Sequence, residues 1–189
     1  KQCRVFGEDF ARSGDMTALV PMAISNGLKR KVPFQVELKN VPFTSQEQVV
    51  YYICDRLPRL RALKFDARGN GQYLAEQARF KYGNRVEEVM LSQSWYLQNM
   101  PPMKAAFEDD EIEIPKNAEV LNDFRAIQVI KGIPKVPDGQ TDKGRHGDSA
   151  IATCLAYAAS KEDAYEIDWI PAQQETNSEN PGYRTDGHF

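Results

Sequence analysis

Little in this chain announces a chemistry by itself. Of 189 residues only 3 are cysteine and 2 histidine. Cys3, Cys54 and Cys154 are odd in number, far apart and set in apolar segments. That spacing suits neither a disulfide framework nor a thiolate metal cluster, and it predicts reduced, packed thiols. No apolar run approaches the ~20 residues that span a bilayer, and no signal-peptide pattern is present, so neither a helical membrane protein nor a secreted one is expected. There is no excess of positive charge either. Lys and Arg number 24 against 27 Asp and Glu, a net charge of −3. Binding a polyanion through bulk charge is thereby excluded, and any nucleic-acid contact would rest on local patches. The chain contains no Gly-x-x-x-x-Gly-Lys-Ser/Thr stretch, no Gly-x-Ser-x-Gly elbow and no Cys-x-x-Cys pair. A phosphate-cradling loop, a serine-hydrolase elbow and a dithiol centre are not to be expected in it. It begins at Lys1 without a methionine, as a piece of a longer protein would.

What is present is a hydrophobic fraction of 41% and a charged fraction of 27%, values of an ordinary globular domain. Alternating and helical hydrophobic periods can be read along most of the chain. Arg4–Asp9 and Met16–Ser25 read as strands joined by the polar turn Arg12-Ser13-Gly14-Asp15, and Val32–Lys39 as a third. Thr44-Ser45-Gln46-Glu47 has the form of a capping box, and Val49, Val50, Ile53 and Leu57 carry a helix from it towards Pro58. Leu60–Asp66 reads as a buried strand, Gln72–Tyr82 as a helix stopped by Gly83, and Val86–Leu91 as a further strand. Ser94–Phe107 has helical spacing, which Pro101-Pro102 should break or kink. Ala118–Asp123 suggests a short helix, Arg125–Lys131 and Ile133–Val136 a hairpin, and Gly147–Ser160 an alanine-rich helix. A meander followed by alternating strands and helices predicts an α/β fold whose mixed sheet is flanked by helices. The expected domain is residues 1–170, and residues 171–189 read as a polar, poorly ordered tail.

Three aspartates stand out against this pattern. Asp9 ends the strand Arg4–Asp9, Asp66 ends Leu60–Asp66, and Asp148 stands in Arg145-His146-Gly147-Asp148 at the start of the last helix. If the first and fourth strands are parallel neighbours, Asp9 and Asp66 emerge at one sheet edge, and the helix can bring Asp148 to them. Acids at the ends of buried segments are costly without a partner, and converging carboxylates are what a hard divalent cation requires. Such cations can cleave phosphodiesters, which makes a metal-dependent nuclease the leading expectation. Asp148 also fits a plain helix N-terminal role, favoured by the macrodipole. Asp15 is a further acid near the site or a turn cap, and His146 is a ligand, a proton carrier or an ordinary loop histidine. Glu8 alternates with Asp9 and should face the other side of its strand. Arg68, Lys143 and Arg145 place positive charge beside Asp66 and Asp148, where a phosphate backbone would pass. Leu28-Lys29-Arg30-Lys31 reads as a solvated turn tip, and Glu108-Asp109-Asp110-Glu111 as a solvated acidic loop.

The segments Phe6-Gly7-Glu8-Asp9-Phe10-Ala11-Arg12-Ser13-Gly14-Asp15-Met16-Thr17-Ala18, Phe65-Asp66-Ala67-Arg68-Gly69-Asn70-Gly71 and Arg145-His146-Gly147-Asp148-Ser149-Ala150-Ile151-Ala152 resemble the C-terminal nuclease domain of the large terminase subunit of tailed bacteriophages, closest to its Mu-like group. The resemblance covers about residues 4–160, and the His-Gly-Asp before an alanine-rich helix is its most specific part. It implies a ribonuclease H-like fold and an endonuclease that cuts double-stranded phage DNA during genome packaging. It further implies that Asp9, Asp66 and Asp148 hold Mg²⁺ or Mn²⁺, two ions once DNA is bound. Implied partners are duplex DNA, a terminase ATPase domain, a small terminase subunit and a portal, in the host cytoplasm. Other readings are another ribonuclease H-like nuclease (a resolvase or a hybrid nuclease) and a non-catalytic module that docks DNA or a packaging partner. A two-carboxylate glycosidase fits less well, because Trp95 and Trp169 are distant in sequence from the acids.

Overall fold

The computed structural model describes residues 3–11, 16–25, 29–137 and 147–162. Two long strands form its centre. β1 (Cys3–Asp9) pairs antiparallel with β2 (Met16–Ile24), with Cys3 opposite Ile24 and Asp9 opposite Ala18. β3 (Arg30–Lys31) and β4 (Val36–Lys39) both lie antiparallel to β2, at its two ends. The expected strand Val32–Lys39 is therefore shortened to Val36–Lys39, with Arg30–Lys31 paired separately before it, and Pro33 lacks the N–H that a continuous ladder would need. Next come α1 (Phe43–Cys54), β5 (Leu60–Asp66), α2 (Gly71–Tyr82) and β6 (Val86–Val89). β5 lies parallel to β1, and β6 parallel to β5. α3 (Gln93–Glu108) leads to β7 (Ile112–Glu113), parallel to β3 at the far edge. α4 (Ala118–Arg125), a small separate hairpin of β8 (Gln128–Ile130) and β9 (Ile133–Lys135), and α5 (Asp148–Ser160) complete the order. The strand order is β6-β5-β1-β2-β3-β7, with β4 also on β2. This is the expected mixed sheet flanked by helices.

Several local readings give way to tertiary effects. α1 starts after Pro42 without a side-chain cap, and the Ser45 and Gln46 amides donate to the Pro42 carbonyl instead of forming the capping box. α3 runs unbroken through Pro101 and Pro102. The carbonyls these prolines deprive of partners belong to the exposed Leu97 and Gln98, where water can replace the missing donors. The expected strand Arg125–Lys131 begins only at Gln128, because α4 continues to Arg125. Arg30 is no solvated tip. It is buried, donates from Nε to Ser160 Oγ at 2.7 Å, pairs with Glu111 and lies 4.9 Å above the Tyr157 ring.

The period-2 pattern of the central strands feeds two cores. Val5, Val20, Met22 and Ala62 face α3 and α5, whereas Phe6, Leu19, Leu63 and Phe65 face α1 and α2. Every residue of α5 is buried, and its small side chains let it lie close to the sheet. The closest approach is at Gly7, where an added Cβ would come within 2.2 Å of the Ala152 carbonyl and 2.4 Å of the Ala156 amide. Backbone atoms cannot yield as a flexible side chain would. At the other end of α5, Lys64 of β5 pairs with Glu87 of β6 and with Glu162. Substituting Gly7→Ala is expected to force α5 off β1 and to lower stability by about 1–3 kcal/mol or more, the cost of overpacking a filled core. A lower urea midpoint would register it.

Candidate functional site

The parallel pairing of β1 and β5 sends both chains out of the sheet at the same edge, with Glu8 opposite Phe65 one residue before Asp9 and Asp66. Asp9 and Asp66 share the sheet face that α5 covers. α5 begins at this edge with Asp148 in its first turn, following Gly147 at φ 77°. Gly147 has no room for a side chain, because a Cβ would meet Val136 Cγ2 at 2.5 Å. All three aspartates are buried, at 5%, 4% and 6% exposure.

Their proximity is visible in the electrostatics. Burial raises the Asp9 carboxyl well above its ordinary value of 3.8, and the negative charges of Asp66 and Asp148 raise it further. Arg68 acts in the opposite direction, and a hydrogen bond between the Asp9 and Asp66 carboxyls adds to the rise. Glu8 points to the opposite face, as its alternation predicts. It is fully buried, and neither carboxylate oxygen has a hydrogen-bond partner among the described residues. Burial first, then Asp9 and Asp66, push its carboxyl upward as well. Tyr96 of α3 lies within electrostatic reach of the same group. Its hydroxyl is pushed up to about 12 by burial, against the pull of Arg68.

Asp66 is held from two directions. Gly71 at the start of α2 packs so tightly that a Cβ would stand 2.3 Å from the Asp66 carbonyl. The carboxylate itself is taken by Arg68, whose Nε donates to Oδ1 at 2.9 Å and to Oδ2 at 3.2 Å. Arg68 Nη2 donates to Oδ2 at 2.9 Å, and its backbone N–H to Oδ1 at 3.1 Å. A second polar cluster supports the start of α5. The Ser149 amide donates to Asp123 Oδ2 at 3.3 Å, and Ser149 Oγ donates to Glu37 Oε1 at 3.0 Å. Gln35 Nε2 donates to Glu37 Oε1 and to Ser149 Oγ, each at 2.9 Å. Asp123 is buried at 2% exposure and offers its carboxylate to the helix N-terminus, where negative charge is favoured.

Asp9, Asp66 and Asp148 therefore come together, and Arg68 joins them. Asp15, Lys143, Arg145 and His146 lie outside the described residues, as does the expected boundary at residue 170. Asp123, Glu37 and Tyr96 were not singled out from the sequence. Asp123 is one polar residue within an amphipathic turn, Glu37 one of an alternating pair, and Tyr96 one aromatic of a helix. No local pattern distinguishes them. Among the described residues no group of three His, Cys, Asp or Glu side chains stands ready to grip an ion, and Asp66 is instead engaged by a guanidinium. The donor set nonetheless suits a hard divalent cation: buried carboxylate oxygens from three elements, mutually repelling and short of positive charge. Among the described residues no helix is long and apolar enough to cross a membrane.

The raised carboxyls make the stability of the ion-free chain pH-dependent. A carboxyl whose folded value lies above its unfolded value favours folding at low pH, and that contribution is lost as pH rises through the folded value. For Asp9 the window opens at 3.8 and extends upward. Asp9→Asn is expected to raise the melting temperature above this window and to leave it nearly unchanged below, as thermal denaturation across pH would show.

No family model matches the chain. It is 45% identical over 170 residues to the probable terminase large subunit gp28 of Escherichia phage Mu, covering 87% of this chain and 31% of that protein. It is 44% identical to the Mu-like prophage FluMu protein gp28 of Haemophilus influenzae, covering 88% of this chain and 34% of the relative. The chain thus spans about a third of the length of these relatives. In fold it is similar to the large terminase nuclease of the thermophilic phage G20c with bound magnesium (TM-score 0.68, 15% identity, 84% of this chain and 82% of that one). The same nuclease with bound zinc and with bound cobalt superposes with TM-scores of 0.65 and 0.67. Over most of its length the chain is thus similar to about a third of the gp28 proteins of Mu and a Mu-like prophage, the first a probable terminase large subunit, and its fold is that of solved large terminase nucleases.

Proposed function

We propose that this chain is the nuclease portion of a phage large terminase, a divalent-metal-dependent endonuclease that cuts double-stranded DNA during genome packaging. The observation that carries the reading is the convergence of three buried aspartates from two parallel strand ends and a helix start, in a homologue of Mu-like terminase large subunits. Asp9, Asp66 and Asp148 would hold Mg²⁺ or Mn²⁺, two ions with DNA bound. That charge would activate water and stabilise the leaving oxygen at the phosphodiester. Magnesium, zinc and cobalt bound to the similar G20c nuclease support a divalent cation here.

The chain's own residues have distinct tasks in this reading. β1 and β5 present Asp9 and Asp66 from a rigid sheet, which holds their separation constant as DNA arrives. Asp123, Ser149 and Glu37 orient the first turn of α5 and so Asp148. Arg68, and from the sequence Lys143 and Arg145, would supply positive charge to the phosphate backbone. Asp15 and His146 are additional candidates from the sequence. A net charge of −3 predicts weak DNA binding by the chain alone and a strong dependence on salt. The ATPase portion, small subunit and portal would bring DNA to the site in the full assembly.

Plasmid digestion with Mn²⁺, Mg²⁺ or chelator tests the proposal, beside Asp9→Asn, Asp66→Asn and Asp148→Asn. Cleavage should need the cation and fall by more than about 100-fold in each variant, beyond the usual cost of losing an outer-shell partner. Junction and RNA–DNA hybrid substrates run in parallel should be cut more slowly than duplex. Cleavage that survives in the three variants would place the chemistry elsewhere. A folded chain that binds duplex without cutting it would be a docking module.

A further inference from the structure

Arg68 grips both oxygens of Asp66. A carboxylate has about four lone-pair positions on its two oxygens, and three N–H groups of Arg68 reach them, the Nε–H shared between the two. Oδ1 accepts from the Arg68 amide at 3.1 Å and from Nε at 2.9 Å. Oδ2 accepts from Nε at 3.2 Å and from Nη2 at 2.9 Å. With this fork in place both Asp66 oxygens are already engaged where a cation would have to bind. A divalent ion would also have to share the same few ångströms with a guanidinium that cannot give up its charge. Ion and side chain are therefore competing ligands of one carboxylate.

The two partners differ in their freedom to move. Asp66 is 5% exposed in its side chain and is clamped by Gly71. The Arg68 side chain is 44% exposed. It projects from the connection between β5 and α2, beside Gly69 at φ 53°, where an added Cβ would meet nothing within 4 Å. The guanidinium can swing outward without unpacking the core, while its backbone N–H can stay on Oδ1.

We infer that Arg68 is the internal counter-cation of the acidic site, exchanged for the divalent ion on Asp66 and then free to hold a backbone phosphate of the DNA. This rests on the nuclease reading and adds an order of events to it. Without an ion the guanidinium neutralises part of the buried charge and lessens the repulsion among the three aspartates. With the ion bound, the released planar fork stands at the DNA-facing edge, a shape suited to two phosphate oxygens. Arg68 is a positioning residue for the ion and a direct ligand of the nucleic acid, each in turn.

The test uses this chain with Mn²⁺ as the probe, measured by calorimetry in wild type, Arg68→Gln, Arg68→Lys and Asp66→Asn. Removing a competitor should tighten Mn²⁺ binding in Arg68→Gln by about 5- to 150-fold, the usual range for coupling between two ligands. Arg68→Lys, a point charge without the fork, should fall between. Binding of duplex DNA, measured in Ca²⁺ and in chelator, should strengthen with the ion in wild type, and this gain should shrink in Arg68→Gln. If the variants fold poorly, the wild type still answers. The Arg68 Nε–H resonance should shift or vanish as Mg²⁺ is added. Equal or weaker Mn²⁺ binding in a folded Arg68→Gln, or an Arg68 resonance indifferent to Mg²⁺ that demonstrably binds, would overturn the exchange and leave the metal site standing. Absence of Mn²⁺ binding in wild type and in every variant would overturn the metal site itself, and the exchange with it.

Discussion

The site depends on one close approach, that of α5 to β1 at Gly7. Ala152 and Ala156 bring helix backbone to within contact of strand backbone, and only hydrogen on the strand residue allows it. From that contact the remaining geometry follows. A fully buried helix of small residues can lie directly across β1, β2 and β5, so its first turn ends beside the last residues of β1 and β5. The helix start and the two strand ends then share one edge. A bulkier seam would lift the helix by several ångströms and remove Asp148 from the group.

The cost of this arrangement is electrostatic. Three aspartates are buried together, and a glutamate lies behind them without a hydrogen-bond partner among the described residues. Proteins seldom collect like charges in a low-dielectric region unless positive charge arrives from elsewhere. In the ion-free fold Arg68 supplies part of it, and the raised Asp9 and Glu8 carboxyls express the shortfall that remains. Stability and the proposed function pull in opposite directions here, a common state of sites built to bind a cation. The rest of the fold offsets the strain with two apolar cores, one on each face of the sheet.

Outer supports divide the work between them. Gly71 and Arg68 hold Asp66, whereas Asp123, Glu37 and Ser149 hold the start of α5. The first pair is local to Asp66, and the second gathers residues from β4, α4 and α5. Each aspartate is thus positioned by a different part of the chain, and the sheet edge is what makes them one group.

Much of this is legible in the sequence. The alternation of Val5, Glu8 and Asp9 sets which sheet face each takes, because the strand period is two. The acids at the ends of apolar segments point to a common edge, and the Ala-rich run after Asp148 predicts a helix able to lie close. The tertiary structure alone decided the rest. The parallel strand β7, the helix that tolerates Pro101-Pro102, the buried Arg30 and the Asp123 contact with Ser149 all join residues distant in sequence or depend on exposure that no local pattern encodes. Arg68 illustrates the boundary best. Its position two residues after Asp66 was plain, but whether its fork would face DNA or close on the carboxylate depended on how deeply Asp66 is buried and how firmly Gly71 clamps it. Burial is a property of the whole fold, and a sequence of neighbours does not contain it.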